Sequence, residues 1–180
     1  MAESRPTETT GFQHAYDPAV QPEYFEGVLA RRIVAFCVDV VILAFPVLLA
    51  TVFIALFGLI TLGLGWLLFW LLPAASVVWA VLYYGFCFGG PHSATVGMRM
   101  VDLEMRTYYG EPAYFLLGAV HAVIYWVSVS ALTPLILLLG LFNERRRLLH
   151  DFLLGTVVVN NEGRAQALRM QGGLGPRPIG

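Results

Sequence analysis

A chain of 180 residues with 58% hydrophobic and 13% charged side chains, at a mean hydropathy of +0.70, fits one compact unit and is too apolar for an ordinary soluble domain. A net charge of −1 gives no electrostatic footprint for a nucleic-acid partner. The two cysteines, Cys37 and Cys87, have no Cys or His at ligand spacing, so both read as small buried hydrophobes and no metal site is expected.

Residues 1–27 carry five acidic side chains against Arg5, with Pro6, Pro18 and Pro22 scattered among them. This composition predicts a disordered acidic tail that orders near Tyr24 and Phe25, where it meets an interface. It lacks a basic start and an apolar core, so the first apolar segment is expected to act as its own insertion signal.

That first segment spans about 33–57, long enough to cross about 30 Å of hydrocarbon. Pro46 near its middle frees the Ile42 carbonyl and predicts a kink. From Ile33 to Phe88 the only charged residue is Asp39. A charge at membrane depth costs roughly 2.5–3.5 kcal/mol on insertion scales, so it needs a partner or a function. Arg32 lies seven positions earlier on the same helix face, about 10 Å away along the axis. An uncharged turn around Gly58, Thr61, Gly63 and Gly65 leads to Trp66 and Trp70, which suit a membrane interface. A second segment over about 67–88 should pack on the first as an antiparallel hairpin.

Residues 89–112 form the one long polar connection. Met98 to Met105 alternates loosely apolar and polar, which predicts a short extended or hairpin segment against the membrane face. A third apolar stretch covers 113–142 and contains His121. Its Ser130–Pro134 break, with Thr133 as a helix cap and Pro134 at the first helical position, predicts two helices. The fold class is therefore an all-α integral membrane protein, a helical bundle of three apolar segments with disordered tails at 1–27 and 161–180.

Positive-inside counting places Arg31, Arg32, Arg99 and Arg106 in the cytoplasm, and the N-terminus with them. Arg145 to Arg147 join them only if the third stretch turns back. Its 30 residues span about 45 Å as helix, short of the roughly 60 Å that two full passes need. A broken hairpin or re-entrant pair satisfies both constraints, and one long tilted helix is the alternative. Under the hairpin reading Arg32, Asp39, Arg99 and Asp151 gather at one cytoplasmic end.

Arg32-x-x-Ala35-x-x-x-Asp39, Thr95-x-Gly97-x-Arg99 and His150-Asp151-x-x-x-Gly155-Thr156 occur in that order in a membrane frame. Together they resemble the RDD family of small bacterial membrane proteins, over about residues 28–160. By that resemblance the defining residues are Arg32, Asp39 and Asp151, with Thr95, Gly97, Arg99, Gly155 and Thr156 as supporting positions. His121 adds a candidate proton relay or a neutral core histidine, and His150 a group that orients Asp151. The resemblance implies a multi-pass protein of the bacterial inner membrane. It leaves the role open between small-solute or cation/proton transport and a membrane scaffold or accessory subunit in which the charged set is a structural clamp.

No nucleophile elbow, metalloprotease motif or phosphate loop is present, so no enzyme activity, catalytic residue or cofactor is expected. The expected partners are the lipid bilayer, a homodimer or larger membrane complex, and, under the transport reading, a monovalent cation or proton.

Overall fold

The computed structural model describes residues 15–127, 149–173 and 175. The Ser130–Pro134 break, the arginine run at 145–147 and the outer parts of both tails lie outside the described residues.

Among the described residues two helices are long and apolar enough to cross a membrane. Helix α1 runs over Val28–Ile60 and helix α2 over Leu72–Gly89. Helix α1 therefore exceeds the expected 33–57 at both ends, because Arg31 and Arg32 are good helix formers and nothing polar stops it before Thr61. It continues through Pro46 without a break. The missing Pro46 donor costs the ladder one bond, which the flanking apolar turns tolerate.

The second span starts later than sequence predicts. Leu64–Trp70 is a 3-10 helix that folds back beside the last turns of α1. Trp66 lies against Gly58, where a Cβ would come within 1.8 Å of the indole, and its Nε1 donates to the Ala55 carbonyl at 3.3 Å. Only a glycine at 58 lets the ring approach this closely.

The polar connection is neither plain loop nor wholly extended. It contains helix α3 (Val96–Met100) and strand β1 (Leu103–Thr107). The described part of the third apolar segment is helix α4, Phe115–Val127, whose first turn packs on α2 through Phe115 and Phe86, ring centroids 5.1 Å apart. Past the undescribed stretch come α5 (Leu149–Leu154), strand β2 (Thr156–Asn160) and α6 (Glu162–Gln171).

The all-α expectation is corrected to a mostly helical fold with a two-stranded antiparallel ribbon. β1 pairs with β2 in the register Leu103↔Asn160 to Thr107↔Thr156. All five β2 residues are buried, which explains an unbroken Val157-Val158-Val159 run: the strand is covered on both faces, and side chains alternate between them. Val158 and Met105 belong to the core with Val28, Ala35 and Tyr84 of the hairpin. Val157 and Val159 face the other way, onto Tyr24, Phe25 and Ala165.

That second cover corrects the expectation of disorder over residues 161–171, where α6 forms; the last residues lie outside the described ones. Asn161 caps α6 by accepting from the Arg164 amide at 2.9 Å, and Ala165 buries against β2. The N-terminal segment closes the same layer and is placed from Ala15 onward, the Ala15 amide donating to the Tyr108 carbonyl at 3.3 Å, which corrects the expectation of a disordered tail over residues 15–27. Tyr24 donates its hydroxyl to Glu162, and Arg169 pairs with the buried Glu23 at 3.0 Å.

Candidate functional site: two fastenings at one end of the hairpin

The carboxylate of Asp39 is 3% exposed and meets three donors from two other elements. Its Oδ1 accepts from the Tyr83 hydroxyl at 2.6 Å and from the Gly97 amide at 2.8 Å; its Oδ2 accepts from the Thr95 hydroxyl at 2.6 Å. Hydrogen bonds to a charged acceptor are the short, strong kind.

The same atoms finish the start of α3. A helix leaves its first amides without intrahelical partners. Here the Val96 amide donates to Tyr83 Oη at 3.3 Å, the Gly97 amide to Asp39, and the Met98 amide to Thr95 Oγ1 at 3.1 Å. Thr95 is an ordinary N-cap. Asp39 extends that cap from a different helix, so α1, α2 and α3 are tied at one point. Gly97 is required by the approach: a Cβ there would lie 2.2 Å from the Ala35 carbonyl oxygen.

Arg32 does not pair with Asp39. Its Nη2 bonds Asp151 Oδ2 at 2.6 Å, with side chains 11% and 0% exposed. Asp151, in the first turn of α5, also accepts from Thr156 Oγ1 at 3.5 Å, which links it to the first residue of β2. The Arg–Asp–Asp set thus divides into two fastenings on one helix face. Asp39 holds the hairpin to α3, and Arg32 holds α1 to the segment that leads into the ribbon.

Arg31 carries a third link. Its Nη1 reaches the Val101 carbonyl at 3.4 Å and Asn160 Oδ1 at 3.3 Å. Asn160 Nδ2 in turn donates to the carbonyls of Glu23 at 2.8 Å and Glu26 at 3.0 Å.

The remaining expected positions separate. Arg99 is exposed in the last turn of α3. His121 is 6% exposed and packs edge-on against Phe88, centroids 5.5 Å apart. The His150 side chain lies outside the described residues. Gly155 takes φ +62 between α5 and β2, a conformation that favours glycine, and its carbonyl accepts from the Tyr108 amide at 2.7 Å. Cys37 and Cys87 are free thiols; Cys37 is exposed, which corrects its reading as a buried residue.

Sequence reasoning missed Tyr83 and Asn160. A tyrosine inside an apolar run is a usable signal, since a buried phenol seeks a partner. Nothing marks Asn160 before the strand pairing is known.

Among the described residues no three His, Cys, Asp or Glu side chains form a possible metal site. A groove of about 530 Å³ between α1, α2 and α4 is lined by apolar side chains such as Leu43, Trp79 and Trp126. Ser76, the one hydroxyl-bearing residue among the described lining residues, spends its hydroxyl on the Leu72 carbonyl at 2.7 Å.

The family model described as the RDD family matches residues 27–155. Searches of curated proteins and of solved structures returned no match. The matched interval contains Arg32, Asp39 and Asp151, and ends just before β2.

Proposed function

Because this chain belongs to the RDD family, a membrane-protein domain, we propose that it is a non-catalytic membrane scaffold or accessory subunit whose Arg–Asp–Asp set is a structural clamp. The observation that carries the reading is the saturation of Asp39 by three donors of its own chain, two of which also cap α3. A group so occupied holds elements together. Exposing it to a ligand requires breaking those bonds, and burying an unpaired carboxylate is costly. The clamp fastens the ribbon and its outer layer to one end of the hairpin and presents that layer to a lateral partner, a second copy or a larger complex.

Orientation follows from charge. Arg31, Arg32, Arg99 and Arg106 lie at or beyond the Asp39 end of the hairpin, whereas the 61–71 connection has no charge, so the ribbon end is read as cytoplasmic in the inner membrane of a bacterial cell. The third apolar stretch is read as a hairpin or re-entrant pair that keeps Arg145 to Arg147 on that side.

Purification of the full chain in a mild detergent tests the scaffold reading. A stoichiometric co-purifying partner or a defined homo-oligomer is expected; a lone monomer at every detergent concentration refutes it.

One observation favours a second reading, transport of a cation, proton or small solute. Two of the three Asp39 donors, Tyr83 and Thr95, are hydroxyls that can rotate to accept from a protonated carboxyl group. A cation-dependent pH change in proteoliposomes, abolished in Asp39→Asn protein that still elutes as the parent does, establishes that reading over the clamp.

A further inference from the structure

The connection between the two long helices contains no charged residue, and none occurs anywhere between Asp39 and Arg99. A turn that projects into water normally shows polar side chains and leaves backbone groups to the solvent. This one shows a single polar side chain, Thr61, and spends its amides internally. The Thr61, Leu62, Gly63 and Leu64 amides donate to the carbonyls of Phe57, Leu59, Gly58 and Thr61. The Gly65 amide donates to Thr61 Oγ1 at 2.7 Å. The Trp66 and Leu71 amides donate to the carbonyls of Gly63 and Leu68, and those between are spent within the 3-10 helix. Even the Thr61 hydroxyl returns to the Phe57 carbonyl at 2.7 Å.

The side chains face outward and are apolar. Leu62 is 97% exposed, Trp70 86% and Leu64 74%, with Leu67 and Leu71 also exposed. Internal satisfaction of the amides is what hydrocarbon demands of the donor side of a backbone. An outward apolar surface of this extent marks an interaction surface. The 3-10 helix also lies beside Ala55 and Gly58 of α1, not beyond the helix end, so its surface is continuous with the exposed apolar faces of α1 and α2.

We propose that the Thr61–Leu71 connection is a lipid-embedded cap: it stays in the acyl–headgroup boundary of the far leaflet, with Trp66 and Trp70 as its anchors, and does not emerge into water. The proposal rests on the membrane placement of α1 and α2 and is independent of what the clamp does.

The test uses the full chain with Trp79→Phe and Trp126→Phe, which leaves Trp66 and Trp70 as the only fluorophores of their kind. In phosphatidylcholine vesicles, lipids brominated on the acyl chain near the headgroup are expected to quench most of the emission, and aqueous iodide little of it. Strong iodide quenching with weak bromolipid quenching overturns the proposal in favour of a water-exposed turn. Weak quenching by both overturns it in favour of a second copy or another protein covering the cap. A second variant guards against misfolding of the first: Leu62→Cys, with Cys37 and Cys87 replaced by serine and all tryptophans kept. A membrane-impermeant maleimide, supplied to both faces of the bilayer, is expected to label that thiol only after denaturation. Immediate labelling in intact vesicles contradicts the cap.

Discussion

Gly97→Ala is a one-carbon change with a consequence set by the geometry around Asp39. The new Cβ would sit 2.2 Å from the Ala35 carbonyl oxygen and 2.8 Å from Asp39 Oδ1. The first neighbour is backbone of a long helix and cannot rotate away. To reach ordinary contact, α3 must move from α1 by about 1 Å. The Gly97–Asp39 and Thr95–Asp39 bonds, at 2.8 and 2.6 Å, then stretch past useful length. Each bond to a charged group is worth about 1.5–3 kcal/mol, so losing both costs about 3–6 kcal/mol in a site closed to water. Denaturation by sodium dodecyl sulfate in mixed micelles, followed by tryptophan fluorescence, measures the change. The expected result is a loss approaching that of Asp39→Ala, which removes these two bonds and the Tyr83 bond as well. Gly97→Ala protein within about 0.5 kcal/mol of the parent, the range of an unremarkable substitution, refutes the reasoning.

Tyr83→Phe removes one Asp39 donor and the acceptor of the Val96 amide, so it should cost about 1–3 kcal/mol in the same assay, less than Gly97→Ala. Asn160→Ala breaks three links at once, to Arg31 and to the carbonyls of Glu23 and Glu26. Hydrogen exchange should speed up over residues 22–31 and stay unchanged in the centre of α1. Truncation after Asn161 removes α6 and uncovers Val157 and Val159; exchange should rise in β2 and in Pro22–Tyr24, while α2 stays as protected as before.

The Arg–Asp–Asp set is legible in the sequence, because charges are so rare in the apolar frame that Asp39 and Arg32 stand out. Their pairing is not legible. Seven residues along a helix place two side chains on one face but about 10 Å apart, and each found its partner on another segment. The partners of Asp39 come from α2 and the start of α3, and only chain folding brings Tyr83 and Thr95 together. The hairpin helices follow from hydropathy. The 3-10 fold-back at Leu64–Trp70 does not, since its composition is as apolar as a membrane span, and what diverts it is the close approach of Trp66 to Gly58. The Val157–Val159 run signals a strand, whereas its partner across residues 103–107 depends on tertiary packing. Helix α6 was hidden by its polar, glycine-containing composition, although Asn161 and Glu162 are a usable start signal and Ala165 supplies the one residue it buries.

The central claim is that the Arg–Asp–Asp set works as two separate fastenings, Arg32 with Asp151 and Asp39 with α2 and α3. Double-mutant cycles over Arg32→Ala, Asp39→Ala and Asp151→Ala test it directly. The account predicts a coupling of about 1–3 kcal/mol between Arg32 and Asp151, and additivity within about 0.5 kcal/mol between Asp39 and either of them. Strong coupling of Asp39 to Arg32, with none between Arg32 and Asp151, contradicts it.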